Sequence, residues 1–266
     1  MNSIQIESCP VMTKLGLIHG VTGRAGGVSA PPYDSLNLAY HVGDEPPHVT
    51  ENRQRLCRHQ GLPFERLTAC QQTHGNRIQA VNEKNAGRGW NSHEGAFPET
   101  DGLMTNVPGI PLLICTADCV PVILYEPQVR AAAVLHSGWK GTAADIGGKG
   151  VRMMKEQYGA APERMYAYIG TAITAPYFEI GETVAEQLAA AAGSEEGWLK
   201  RCGGAFYADL YAVNRRLLRR AGIPDEHIYT SVHSSYENRY YSYRRDGGRT
   251  GRMAAFAMIM TDFVEK

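Results

Sequence analysis

Long apolar runs, paired cysteines and an excess of either charge are all missing from this chain of 266 residues. No stretch approaches the roughly 20 consecutive apolar residues that a helix needs to cross a bilayer, so no membrane span is expected. Lysine plus arginine and aspartate plus glutamate number 27 each, for a formal net charge of zero. That balance leaves no electrostatic footprint for nucleic acid or an anionic membrane. The 6 cysteines are irregularly spaced and none falls in a CxxC, which argues against a zinc ribbon or a thioredoxin-like site. The first residues, MNSIQIESCPVMTK, lack the basic start and apolar stretch of a secretory leader, so reduced thiols in the cytoplasm are the expectation. Internal repeats, low-complexity linkers, a Walker loop and the dinucleotide fingerprint are absent as well. A small or neutral partner is what these absences leave.

What is present starts with ordinary globular composition, 43% hydrophobic and 20% charged, enough for a sizeable core. The 29 glycines and 14 prolines are spread throughout, which suits many short elements joined by tight turns. The central stretch, residues 110–142, reads as three apolar strands at 112–116, 120–125 and 131–135. Asp118 and Cys119 close the first, His136 ends the third, and Ser137-Gly138-Trp139-Lys140-Gly141 turns the chain toward a helix at 143–158. Further strands are expected at 4–7, 15–21, 67–71, 78–81, 165–170, 227–232 and 254–260. Helices are expected at 49–60, 182–192 and 208–221, the last with Leu210, Val213, Leu217 and Leu218 on one face. The polar segment 82–100 reads as a mobile surface loop that could act as a lid. Strands joined both by short turns and by helices predict an α/β (α+β) fold with a mixed sheet, as one domain over residues 1–266.

Chemistry gathers at the seams. His74 sits on a turn beside glycine, Cys119 and His136 at strand ends, and one sulfur with two imidazoles is a donor set that suits zinc with one position left open. The same Cys119 and His136 could instead be a nucleophile and its base, or all three could be structural. Asp118, next to the thiol, could orient an imidazole or accept a substrate proton. The glycine-rich loop 22–29 carries Arg24, and its N–H groups with that guanidinium could hold an anion.

Several motifs together resemble one family. QTHG, TDGLMTNVPGIPLLICTADCVPV and HSGWKG look like the Q-x-H-G, T-A-D-C-x-P and H-A-G-W-[RK]-G segments of the laccase-domain family, also called peptidoglycan-editing-factor or polyphenol-oxidase proteins, some described as purine nucleoside phosphorylases. TGRAGGVSAPPYDSLNLAYHVGD and YYSYRRDGGRTGRMA resemble its two terminal motifs, so nearly the whole chain is covered in order. The resemblance implies a mixed-sheet sandwich flanked by helices, related to a toxin deamidase fold that uses Cys and His. It implies zinc on His74, Cys119 and His136, with copper possible in vitro. It also implies phosphorolysis of adenosine, inosine or methylthioadenosine, adenosine deamination, or an older copper-dependent phenol oxidation.

Physical chemistry ranks these. Deamination needs one activated water and an acid–base group, for which Asp118 is the candidate. Phosphorolysis needs donors for phosphate, for which Arg24 with Gly26 and Gly27 is suited, joined by Arg245; Asn37 and Gln72 are placed at the pocket. A blue-copper oxidase needs several histidine-rich copper sites, and the 9 histidines are not clustered for that. The leading expectation is a cytoplasmic zinc enzyme of purine nucleosides, taking nucleoside and phosphate as partners. The alternatives are a Cys119–His136 thiol hydrolase or amidase acting on peptidoglycan precursors, and a metal-stabilised interaction protein without turnover. Three departures from the family pattern stand out: Ser137 where alanine is usual, residues 171–176, and Val232-His233 in place of Cys-Thr.

Overall fold

The computed structural model describes residues 3–262. In chain order the first half contains β1 (Ile6–Glu7), α1 (Pro10–Lys14), β2 (Leu17–Thr22), α2 (Pro46–Gln60), β3 (Thr68–Ala69), β4 (Ile78–Ala80), β5 (Gly102–Thr105), β6 (Leu112–Thr116), β7 (Val120–Glu126) and β8 (Ala131–Ser137). The second half adds α3 (Trp139–Ala143), α4 (Ile146–Tyr158), β9 (Tyr166–Ile169), β10 (Glu179–Ile180), α5 (Glu182–Ala192), β11 (Leu199–Cys202), β12 (Ala205–Ala208), α6 (Leu210–Arg220), β13 (Ile228–Thr230) and β14 (Met253–Ile259).

The strands form a five-stranded sheet in the order β1-β2-β14-β6-β3, a six-stranded sheet in the order β13-β9-β7-β8-β5-β4, and a small three-stranded sheet β10-β12-β11. The two large sheets pack face to face. Strand periodicity shows why, because alternate side chains enter different cores. In β7, Ile123 and Tyr125 point between the sheets while Val122 and Leu124 point to the helical side; in β8, Ala132 and Val134 oppose Ala133 and Leu135 in the same way. In β14, Met253, Ala255 and Ile259 face the inter-sheet core, and Ala254, Phe256 and Met258 face a third core with Leu38 and Leu56. Central strands buried on both faces read as continuous apolar runs, which is how 112–116 and 120–125 were legible without alternation. α4, α5 and α6 cover the six-stranded sheet through Val151, Met154, Leu188, Val213 and Leu217, and α2 covers the other through Leu56. The expected mixed-sheet sandwich flanked by helices is therefore what the chain forms.

Local departures have local causes. The expected helix 143–158 is two helices, because Asp145 adopts a left-handed φ of 51° and its carboxylate accepts from the Gly148 N–H, capping a new start at Ile146. The helix expected at 49–60 begins at Pro46, where a missing N–H costs nothing in the first turn. Segment 82–100 is irregular yet tied down. Ala96 and Phe97 are buried, Phe97 N donates to Ala69 O, and Arg53 donates to the carbonyls of Gly89 and Trp90. No residue of that segment lines the cavity beside Asp118 and Cys119, so the lid expectation finds no contact there. No helix among the described residues is long and apolar enough to cross a membrane.

Candidate metal centre

The site forms where the chain changes sheets. β6 belongs to the five-stranded sheet and β7 to the six-stranded one, so residues 117–119 cross between them, with Asp118 at φ 85° making the turn. The sequence reading placed Cys119 at the end of the first strand. In the fold it leads into β7, whose antiparallel register sets Val120 opposite Ser137 and Pro121 opposite His136. The thiol thus starts beside the strand end that carries the imidazole. His74 arrives from the turn ahead of β4, with φ 62°. The ligand atoms of His74, Cys119 and His136 all lie within 4.8 Å of one another, and the two imidazole centroids are 4.9 Å apart. Among the described residues this is the one cluster of three or more His, Cys, Asp or Glu donors with such spacing.

A residue outside the expected set holds this arrangement together. Asp101, fully buried, precedes β5, which lies beside β8. Its carbonyl accepts from His136 N at 2.7 Å and its Oδ1 accepts from His136 Nδ1 at 2.8 Å and His74 N at 2.9 Å. Its Oδ2 accepts from Thr73 N, Thr73 Oγ1 and Gly75 N at 3.1, 3.1 and 2.8 Å. One carboxylate therefore orients two of the three donor residues, and by occupying His136 Nδ1 it turns Nε2 toward the cluster. Orienting an imidazole had been one role open to Asp118. That carboxylate instead accepts from Ser235 Oγ at 2.6 Å and Arg244 N at 2.7 Å.

Electrostatics follow the geometry. Burial alone would push the Cys119 thiol up, but the His136 charge and hydrogen bonds from both imidazoles outweigh it and bring the thiol down to about 6. Burial likewise works to lower His136, but the Cys119 thiolate and Asp101 carry it up to about 9. Both shifts favour a thiolate beside a protonated imidazole when no metal is bound, and a metal ion would take the place of the proton on His136 Nε2. A thiolate with imidazoles turned toward it is a soft, mixed S/N set suited to zinc, and the donor types fit such an ion.

Gly138 has a steric duty at this centre. A Cβ there would sit 2.8 Å from Cys119 Sγ and 3.3 Å from His74 Cδ2. Gly138→Ala is expected to lower metal affinity by about tenfold or more while the sheets still form, because the methyl group must displace two donors. Chelator competition alongside circular dichroism checks it; unchanged affinity would remove the steric argument.

The cluster opens into a cavity of about 470 Å³ whose wall includes Asp118, Ile173, Phe178, Tyr243, Arg244 and Arg252. Gln72 lines it too, though its amide is spent on Cys115, accepting from N at 2.8 Å and donating to O at 2.7 Å. The other expected substrate contacts lie elsewhere. Arg24 pairs with Asp34 at 3.1 Å and stacks on Tyr241; Arg245 pairs with Asp246 and donates to the carbonyls of Tyr236, Glu237 and Tyr240. Neither lines the cavity, so neither guanidinium is free for phosphate there. Several donors of loop 22–29 are also taken: Gly27 N by Ser35 Oγ, Val28 N by Asn52 Oδ1 and Ser29 N by Ser35 O. Asn37 is fully buried and bonds Ala39, Asp44 and the Arg252 N–H, a structural position behind the wall. His233 bonds Arg239 and is absent from the wall, whereas Ile173 of the divergent 171–176 segment is on it.

The profile of the family described as "Multi-copper polyphenol oxidoreductase laccase" matches residues 18–260. The chain belongs to this family. Within it, a protein of Geobacillus stearothermophilus named "Purine nucleoside phosphorylase YlmD" is 38% identical over 91% of this chain and 89% of its own length. A "Purine nucleoside phosphorylase" of Deinococcus radiodurans is 41% identical over 91% of this chain and 88% of its own. The solved structure of Bacillus licheniformis hypothetical protein YfiH superposes with a TM-score of 0.89 at 34% identity, covering 91% of this chain and 92% of that one. For this laccase-family chain, sequence reasoning missed Asp101, Tyr243 and Arg252. An aspartate directly before a buried strand was the available signal for the first. The other two lie in the terminal motif YYSYRRDGGRTGRMA, which the sequence marks as polar without giving either residue a role.

Proposed function

We propose that this laccase-family protein is a cytoplasmic zinc-dependent purine nucleoside phosphorylase that also deaminates adenosine. The convergence of His74, Cys119 and His136 on one wall of a 470 Å³ cavity carries the reading. The relatives' names supply the substrate class, and the cavity is of a size suited to a small ligand. In phosphorolysis a phosphate oxygen forms a bond to C1′ of the ribose, the C1′–N9 bond breaks, and the electron pair leaves with the purine. When bound, zinc supplies Lewis-acid stabilisation of developing negative charge and an acidified water for deamination. The chain's own part is to hold His74 and His136 rigid through Asp101, to keep Cys119 a thiolate, and to place Asp118 where it can pass a proton to or from the base. Phe178 and Tyr243 offer aromatic faces to the purine. A single donor cluster among the described residues also weighs against multi-copper phenol oxidation, which calls for several histidine-rich copper sites.

Metal analysis by mass spectrometry, with nucleoside assays in the presence and absence of phosphate, tests this. One zinc per chain and free base formed only with phosphate are expected, with inosine released from adenosine as the second activity. Activity that survives complete metal removal would overturn it.

One observation favours a second reading. Cys119, His136 and Asp101 have the order of a nucleophile, its base and the group that orients the base. That arrangement suits a thiol hydrolase or amidase. It would show as stoichiometric iodoacetamide alkylation of Cys119 with hydrolysis retained by metal-free protein.

A further inference from the structure

Phosphorolysis needs a place for a phosphate dianion, and the cations near the site differ in how committed they are. Arg24 and Arg245 are ion-paired away from the cavity. Arg53 spends its donors on the carbonyls of Leu38, Gly89 and Trp90. Arg244 lies on the wall, but both of its terminal nitrogens donate to the carbonyls of Tyr177 and Glu179.

Arg252 is built differently. Its Nη1 alone donates, to the carbonyls of Thr250 and Gly251 at 2.8 and 3.0 Å, and its guanidinium lies over the Tyr243 ring at 5.6 Å. Among the described residues no carboxylate forms an ion pair with it, although Asp118 shares the same wall. Its main chain is fixed from both sides: Arg252 N donates to Asn37 Oδ1 at 2.9 Å and Arg252 O accepts from Leu38 N at 3.1 Å. Asn37 is in turn fixed by Asp44 Oδ2, which also accepts from Ser29 Oγ at 2.6 Å. A half-buried arginine with no carboxylate paired to it among the described residues, braced by a buried polar network and open to a cavity, is placed to take an anion. His41 lines the same wall and can add a ring N–H.

We infer that Arg252, with His41 beside it, forms the oxyanion subsite of this cavity and takes inorganic phosphate. This rests on the phosphorylase reading and sharpens it. The guanidinium fork matches two phosphate oxygens, Tyr243 keeps its plane in place, and Asn37 acts at one remove by positioning the Arg252 backbone.

The test uses the zinc-loaded full-length protein with inorganic phosphate as the probe. Arg252→Gln is expected to raise the phosphate KM by about tenfold or more, with the nucleoside KM and zinc content held near wild type. Arg252→Lys, which keeps charge and loses the fork, is expected to fall between, and it serves if the glutamine variant does not fold. An unchanged phosphate KM in both variants overturns the assignment, as does a loss carried by Arg244→Gln or Arg24→Gln instead. Phosphate binding followed calorimetrically without nucleoside separates this proposal from the reading beneath it. If wild type binds phosphate and Arg252→Gln does not, the subsite stands even where phosphorolysis is not seen. If wild type binds none, the subsite is wrong whatever the enzyme does.

Discussion

Asp101→Asn is expected to lower zinc affinity by about 10–100-fold and to destabilise the fold by about 3 kcal/mol. Five donors converge on the two carboxylate oxygens, from Thr73, His74, Gly75 and His136. An amide presents one oxygen and one NH2 group, so whichever way it is turned, the NH2 faces donors in a buried place. The two His residues then lose a shared anchor, and the metal has to order them itself. The pH dependence carries a sign that checks the same point. Burial alone would raise the Asp101 carboxyl, yet its bonds and charge interaction with His136, and the N–H groups of Gly75 and Thr73, hold it down at about 2 against an ordinary 3.8. A depressed carboxyl stabilises the fold above its unfolded value, and that contribution fades as pH falls through the interval between 3.8 and about 2. Acid titration of metal-free wild type should show this loss in denaturation curves, and Asp101→Asn should lack it. Asp118→Asn provides the contrast: its carboxylate bonds Ser235 and Arg244 and not the donor residues, so zinc content should stay while turnover falls. Equal zinc affinity in Asp101→Asn and wild type would sink the anchoring argument.

Cys119→Ala is expected to leave the protein folded with little or no zinc and to cut phosphorolysis by about 1,000-fold, since a Lewis acid is worth several kcal/mol of transition-state stabilisation. The sulfur lies at the start of β7 and is half-buried, so its removal leaves the sheet core intact. The substitution also divides the two readings of the site. If zinc carries the chemistry, chelation of wild type reproduces the variant and added zinc restores only wild type. If Cys119 is a nucleophile, chelated wild type stays active while the variant does not. Assays of both proteins before and after chelation decide between them, and zinc retained by Cys119→Ala at wild-type level would refute the donor assignment.

Legibility in the sequence followed how local each signal was. The strands at 112–116 and 120–125 could be read because residues buried on both faces are apolar without interruption, and the α6 face because Leu210, Val213, Leu217 and Leu218 repeat at helical spacing. The break at Asp145 was missed because a left-handed aspartate leaves the apolar pattern around it intact. The expected phosphate contacts Arg24 and Arg245 are turned away from the cavity for a related reason. An arginine beside glycines looks free in a sequence, and only tertiary contact shows Asp34 already paired with Arg24.

By itself the sequence determined the strands of the two large sheets other than β5, the helices α2, α5 and α6, and, through its motifs, the three candidate donors His74, Cys119 and His136. Tertiary structure alone decided that these donors meet, that Asp101 and not Asp118 orients the two histidines, and that Arg252, on the cavity wall, has no carboxylate paired with it among the described residues. The reason is physical. Burial, periodicity and turn preference act between near neighbours along the chain, whereas register between β7 and β8, the sheet crossing at 117–119 and the pairing of charges join residues that sequence distance keeps apart.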